Sequence, residues 1–266
     1  MDDTLKNKII DYLENQRLMG EFLYIEHSRD IDYLAVGESE TIDKEKKFKT
    51  QTEAKEIKTE QKQDNTVTLL SNGWQEADNL DTLYSKIHNC QQCDLGRTRT
   101  NFVFGEGNPN AAIMVIGEAP GKDEDEQGRP FVGRAGQLLT KIIESIKLKR
   151  EDVFIANICK CRPPGNRAPL KDEVANCLPF LLKQIEIIKP RFILALGATA
   201  VASLTGTKPV MAQARGSLTD FHGSKMLITY HPAALLYNPN LKRAVWNDMK
   251  LLRELYDEYL AKKNDS

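Results

Sequence analysis

The chain has 266 residues, room for one large domain or one domain with an extension, and 41% of them are hydrophobic, enough for a sizeable core. No run approaches the roughly 18 consecutive apolar residues of a membrane helix, and Met1-Asp2-Asp3-Thr4 lacks the basic-then-apolar order of a secretory signal, so a cytoplasmic protein with no membrane partner is expected. The net charge of −1 hides an asymmetry: residues 1–80 hold 11 Lys+Arg against 18 Asp+Glu (−7), and residues 81–266 hold the other 26 against 20 (+6), a basic part that either meets a polyanion or reflects ordinary surface variation.

Along the chain, residues 1–37 come first. Leu5, Ile9, Leu13, Leu18, Phe22 and Ile25 recur at roughly helical spacing, which predicts a helix over 3–26 that packs on something and is a candidate site for a protein partner. Residues 38–66 are almost all polar or charged, so a charged flexible linker is expected over 38–77. From residue 78 to 266 the pattern is α/β. A helix through Leu80, Leu83 and Ile87 precedes Cys90-Gln91-Gln92-Cys93. Strands are expected at 111–116 (ending at Gly117), 152–157, 192–197 and 226–229, with helices over 131–146, 171–189, after Gly197 and over 240–262. This alternation predicts a three-layer αβα sandwich around a central four-stranded parallel sheet. Ligand sites in such folds gather at the carboxyl ends of strands, here Gly117–Gly121, Asn157, Gly197 and Tyr230-His231-Pro232.

Five cysteines are present, and in a cytoplasmic protein the Cys90/Cys93 pair suggests a metal or redox site rather than a disulfide frame. From spacing alone a zinc knuckle and an iron–sulfur site both stay open. The stretch Gly117-Glu118-Ala119-Pro120-Gly121 through Gly136-Gln137-Leu138-Leu139 reads as a strand, then a long loop rich in Gly, Pro and acids, then a helix. Glycines in such a loop let backbone amides approach a ligand, and a carboxylate there can orient water; a solvated acidic loop is the plainer alternative.

Three ordered motifs carry a resemblance over residues 80–260. The 117–139 stretch, Asn157-Ile158-Cys159-Lys160-Cys161-Arg162-Pro163-Pro164-Gly165-Asn166-Arg167, and His231-Pro232-Ala233-Ala234-Leu235-Leu236 resemble the signatures of the family-4 uracil-DNA glycosylases. The resemblance implies a DNA repair hydrolase that flips uracil out of DNA and cleaves its N-glycosidic bond. It implies a [4Fe–4S] cluster on Cys90, Cys93, Cys161 and Cys177, with Cys159 outside the family pattern. It further implies that Phe131 stacks on the base, Asn157 reads uracil, and His231 hydrogen-bonds O2. Glu118 would handle the water, Glu124 would close the pocket against thymine's methyl group, and Ala119 and Pro120 would line it. Other branches of the superfamily carry a catalytic Asp where this chain has Ala119, so the role of Glu118 departs from their pattern.

A monomer acting on uracil-containing DNA is expected. Arg129, Arg134, Arg162, Arg167, Arg215, Lys242 and Arg243 are candidate phosphate contacts. Two rivals remain: a relative that crosslinks covalently to uracil-DNA through a histidine in a basic insertion, where this chain has only Gln213-Ala214-Arg215-Gly216-Ser217, and a non-catalytic DNA-binding module.

Overall fold

The computed structural model describes residues 73–264; the helix expected over 3–26 lies outside them, as does the linker expected over 38–77 up to residue 72, while Trp74–Glu76 form a short 3-10 turn. Chain order begins with α1 (Leu80–Ile87), α2 (Leu95–Thr98), β1 (Glu106–Gly107) and β2 (Ile113–Gly117). It continues through α3 (Lys122–Gln127), α4 (Arg134–Ser145), β3 (Phe154–Asn157), α5 (Lys171–Ile188) and β4 (Phe192–Leu196). α6 (Gly197–Thr205), α7 (Met211–Ala214), β5 (Leu218–Phe221), β6 (Ser224–Thr229), α8 (Pro232–Tyr237) and α9 (Lys242–Asn264) complete it.

The sheet has six strands in the order β1-β3-β2-β4-β6-β5, not the four expected. The four apolar runs form the parallel centre, β3-β2-β4-β6, and a short antiparallel strand closes each edge. β2, β3 and β4 are buried at every position, as parallel strands covered on both faces must be. The missed strands have physical excuses. β1 is two residues long, and β5 is largely exposed, so neither shows an apolar run. β5 joins β6 through His222 (φ 47°) and Gly223 (φ 82°), two positive-φ positions that match the twist of a tight hairpin.

Alternation along the strands sorts the core into two halves. Met114, Ile116, Ile193, Ala195 and Ile228 face α1, α5 and α6, where they meet Leu83, Phe180, Leu181 and Val201. Val115, Ile155, Leu194 and Leu227 face the opposite way, onto Leu139 and Ile143 of α4, Leu235 of α8, and Val245, Met249 and Leu252 of α9. This is the three-layer αβα arrangement. Ahead of α1, Trp74 packs edge-on against Phe180, with ring centroids 4.9 Å apart. No described helix is long and apolar enough to cross a membrane.

From β2 the chain moves to one side for β3, then crosses to the other side for β4. The order therefore reverses at β2, and a crevice opens at the carboxyl ends there.

Candidate active site

All four parallel strands deliver residues to this crevice. Gly117 ends β2, and Glu118 follows it; Asn157 ends β3; Gly197 follows β4; Tyr230 and His231 follow β6. Two adjoining cavities fill the space. The larger, about 290 Å³, is lined by Glu118, Pro120, Glu124, Phe131, Asn157 and His231, together with Ala119 and the 163–167 loop. The smaller, about 150 Å³, shares Glu118 and His231 with it and is also lined by Thr199, Met211 and Tyr230. The structure thus brings together Glu118, Ala119, Pro120, Glu124, Phe131, Asn157 and His231, the seven residues singled out in the sequence.

Gly117 makes this convergence possible. A Cβ there would lie 2.4 Å from Phe131 Cζ and 2.5 Å from Asn157 Oδ1, so only glycine lets the ring and the amide meet over the strand end. Phe131 is held at φ 53°, an unfavourable value for a non-glycine residue that the surroundings must enforce. They do so from both sides. Gly136 of α4 abuts its carbonyl so closely that a Cβ would sit 2.0 Å away. Glu124 fixes the next residues, its carboxylate accepting the N–H groups of Val132 and Gly133 at 2.8 Å and of Gly121 at 3.1 Å. Both Glu124 oxygens are thus engaged by backbone. The long loop read from the sequence also contains a helix, α3, with Glu124 in its first turn.

Asn157 is 2% exposed, and its Oδ1 has no hydrogen-bond partner in the protein. A buried acceptor left unmade costs about 1–3 kcal/mol, so this site holds an unmet demand for a donor. His231 caps α8. Its Nδ1 accepts the Ala233 N–H at 3.2 Å, so the neutral ring carries its proton on Nε2. Burial pulls its pKa down to about 4, which keeps the ring a neutral donor at physiological pH. Its ring stands 5.6 Å from that of Phe131. Gly197, at φ 84°, clears the space beside it, since a Cβ there would approach His231 Cβ to 2.9 Å. Burial pushes the Glu118 carboxyl above its ordinary pKa, opposed by a hydrogen bond from Thr199 in the first turn of α6. Gly197 is one of the strand ends marked in the sequence; Thr199, two residues beyond it, did not stand out there.

Beyond Asn157, three segments carry the cysteines. Cys90 and Cys93 follow α1, Cys159 and Cys161 follow β3, and Cys177 lies in α5. Cys177 is electrostatically coupled to the other four and accepts hydrogen bonds from the Cys159 thiol and, at 3.2 Å, from the Lys160 N–H. Arg99 donates to Cys161 Sγ at 3.1 Å and to the carbonyls of Cys90 and His88 at 2.6 and 2.9 Å. Burial pushes the thiols of Cys90 and Cys93 up, and that of Cys161 up to about 12. Among the described residues, no group of three or more His, Cys, Asp or Glu stands in ready-made metal-binding geometry.

The candidate phosphate contacts divide. Arg215 is turned inward: it donates to the buried Asp248, which Thr229 also contacts at 2.7 Å, and to the Ala244 carbonyl at 2.6 Å. Arg167 forks onto Glu173 at 2.6 and 2.8 Å, Arg129 pairs with Glu106 at 2.7 Å, and Arg162 donates to Asn166 at 2.7 Å. Arg134, Lys242 and Arg243 are exposed.

Residues 104–250, over half the chain, match the model of the uracil DNA glycosylase superfamily. Relatives agree. The chain is 45% identical over 186 residues to a type-4 uracil-DNA glycosylase of Saccharolobus solfataricus, covering 66% of this chain and 86% of that protein. It is 44% identical over 209 residues to one of Sulfurisphaera tokodaii (71% and 94%) and 46% identical over 175 residues to one of Thermotoga maritima (64% and 91%). At such identity over nearly the full length of these relatives, the chain belongs to the uracil DNA glycosylase superfamily, among its type-4 members.

Proposed function

We propose that the protein excises uracil from DNA by hydrolysing the N-glycosidic bond, releasing the free base and leaving an abasic site. The observation that carries this reading is the buried, unpartnered Asn157 Oδ1 at the wall of a cavity that an aromatic ring and a neutral imidazole donor also line. A glycosidic bond inside a stacked duplex is out of reach, so the nucleotide must be extruded into the cavity. There Phe131 supplies a stacking face. The Asn157 amide offers an acceptor for uracil N3–H and a donor for O4, and cytosine presents the opposite pattern. The Glu124 side chain, fixed by three backbone amides, serves as a wall against a 5-methyl group.

Bond cleavage is then departure of the base. The C1′–N1 electron pair passes to the uracil ring, where charge collects on O2. His231 Nε2–H, neutral and preorganised, donates to that oxygen without giving up its proton. Water adds to C1′ and loses its proton to Glu118 or to solvent. Burial makes the Glu118 carboxylate a stronger base than usual, and Thr199 steadies it. Because Ala119 offers no carboxylate, stabilising the leaving anion carries more of the rate than activating water.

We also propose a [4Fe–4S] cluster on Cys90, Cys93, Cys161 and Cys177. The donor set supports it: thiols from three segments centre on Cys177, and the cations Arg99 and Lys160 lie beside them to offset thiolate charge. Such a cluster would tie the α1–α2 loop to the loop after β3, and no step of hydrolysis requires it. Iron and acid-labile sulfide assays test it; a colourless protein containing zinc overturns it. Incubation with an oligonucleotide carrying one uracil, followed by alkali, tests excision: a strand break at uracil is expected. An intact strand overturns the enzyme reading, and a protein–DNA band surviving denaturing electrophoresis favours the crosslinking relative.

A further inference from the structure

Lys160 is the largest fully buried side chain among the described residues, at 0% exposure. Buried lysines are rare unless paired with a carboxylate. Here both hydrogen-bond acceptors are neutral: Nζ donates to the Asn157 backbone carbonyl at 2.9 Å and to Gln184 Oε1 at 2.6 Å. Gln184 lies in α5 and donates in turn to the Phe104 carbonyl at 3.0 Å, while the Lys160 carbonyl accepts Val103 N–H at 2.9 Å.

The sheet explains why something is needed at this position. β3 is held against β2 on one side through Asn157, with Ile158 N–H bonding the Gly117 carbonyl at 2.9 Å. On the other side β1 pairs only with Phe154 and Ile155, so its ladder stops two residues short of Asn157. The Asn157 carbonyl therefore emerges at a strand end where no neighbouring strand continues. Lys160 Nζ occupies that place, and Gln184 fixes the ammonium to the rigid helix α5. One ammonium thus serves both acceptors from the far end of a long side chain.

We propose that Lys160 is a positioning residue for Asn157, clamping its carbonyl so that the amide head meets the base at a fixed pitch. The inference rests on the reading of Asn157 as the base-contacting residue. An amide displaced by about 1 Å costs on the order of 10²-fold in rate. Lys160→Met keeps the length of the side chain and removes the donor. In single-turnover excision from a uracil oligonucleotide, it should lose between about 10- and 100-fold in rate. Affinity for uracil-free DNA should stay within about twofold, since no phosphate contact is touched.

A merely structural role is separated by a double-mutant cycle. If Lys160 acts through Asn157, Lys160→Met on the Asn157→Ala background costs less than about twofold further. Equal losses in the two backgrounds, or a loss confined to DNA affinity, overturn the inference. Should Lys160→Met give no cooperative melt, Gln184→Met, which keeps the lysine but frees its anchor, takes its place. A loss of about 3–10-fold that vanishes on the Asn157→Ala background is then expected, and no loss in either background overturns the proposal. The two readings fail separately. Full activity of Asn157→Ala alone overturns the role of Asn157, whereas an impaired Asn157→Ala with an additive Lys160→Met overturns only the clamp.

Discussion

His231→Ala is the most informative single perturbation of the site. The ring is neutral because burial holds its pKa near 4, and its proton sits on Nε2 because Nδ1 accepts Ala233 N–H. Removing one preorganised donor to a developing oxyanion costs about 10²–10³ in kcat, or about 3–4 kcal/mol. A neutral donor also dictates a pH signature. The ratio of wild-type to His231→Ala single-turnover rates should stay constant from about pH 5 to 8, since the ring does not titrate in that range. Stability carries a second signature. Between the ordinary value of 6.5 and about 4, the unfolded chain takes up a proton that the folded site refuses. Wild-type stability therefore falls as the pH is lowered through that window and is unaffected by His231 above it. At about 1.4 kcal/mol per pH unit this amounts to at most about 3.5 kcal/mol, less because the ring borders an open cavity. Urea unfolding at pH 7 and pH 4.5 measures the loss, which should be smaller in His231→Ala than in wild type because the His231 share is gone. A rate ratio that grows below pH 6.5 would show a charged imidazolium at work instead of a neutral donor, and a loss under about tenfold would remove His231 from the role of leaving-group donor.

Two further substitutions probe the same cavity. Glu118→Gln removes a carboxyl whose pKa is raised by burial, so the wild-type protein loses stability as pH rises through that displaced value and the variant does not. Thermal melts should therefore show Glu118→Gln gaining on wild type between pH 4 and 8, together with loss of the acid limb of the rate profile; an acid limb that persists in the variant assigns it elsewhere. Gly117→Ala forces a methyl into contact with Phe131 Cζ and Asn157 Oδ1, so excision should fall by at least about 10²-fold while DNA affinity holds. A near-normal rate would show that the ring and amide need not converge there.

The parallel centre of the fold was legible because four buried strands must be apolar at nearly every position, and 111–117 and 192–197 read that way directly. The edge strands were not. β1 is too short to show a period, and β5 spends polar residues on solvent, leaving only the His222-Gly223 turn as a clue. Site residues at strand ends, Glu118, Asn157 and His231, could be found because position in the fold and chemical type agree. Residues that support them could not. Thr199, Lys160 and Arg99 are ordinary polar side chains whose partners lie far along the chain, as with Lys160 and Gln184, 24 residues apart. Arg215 shows the reverse error, a loop arginine fit for phosphate by sequence that faces Asp248 in the structure.

On the proposed reading, the cavity selects uracil by its hydrogen-bonding edge and releases it by hydrolysis. Chromatography of free bases after incubation with three oligonucleotides, identical except for one uracil, cytosine or thymine, tests it most directly. Release of uracil in step with the appearance of alkali-labile sites is expected, with no measurable release of cytosine or thymine. Release of cytosine or thymine at a comparable rate, or retention of uracil in the strand, would contradict it.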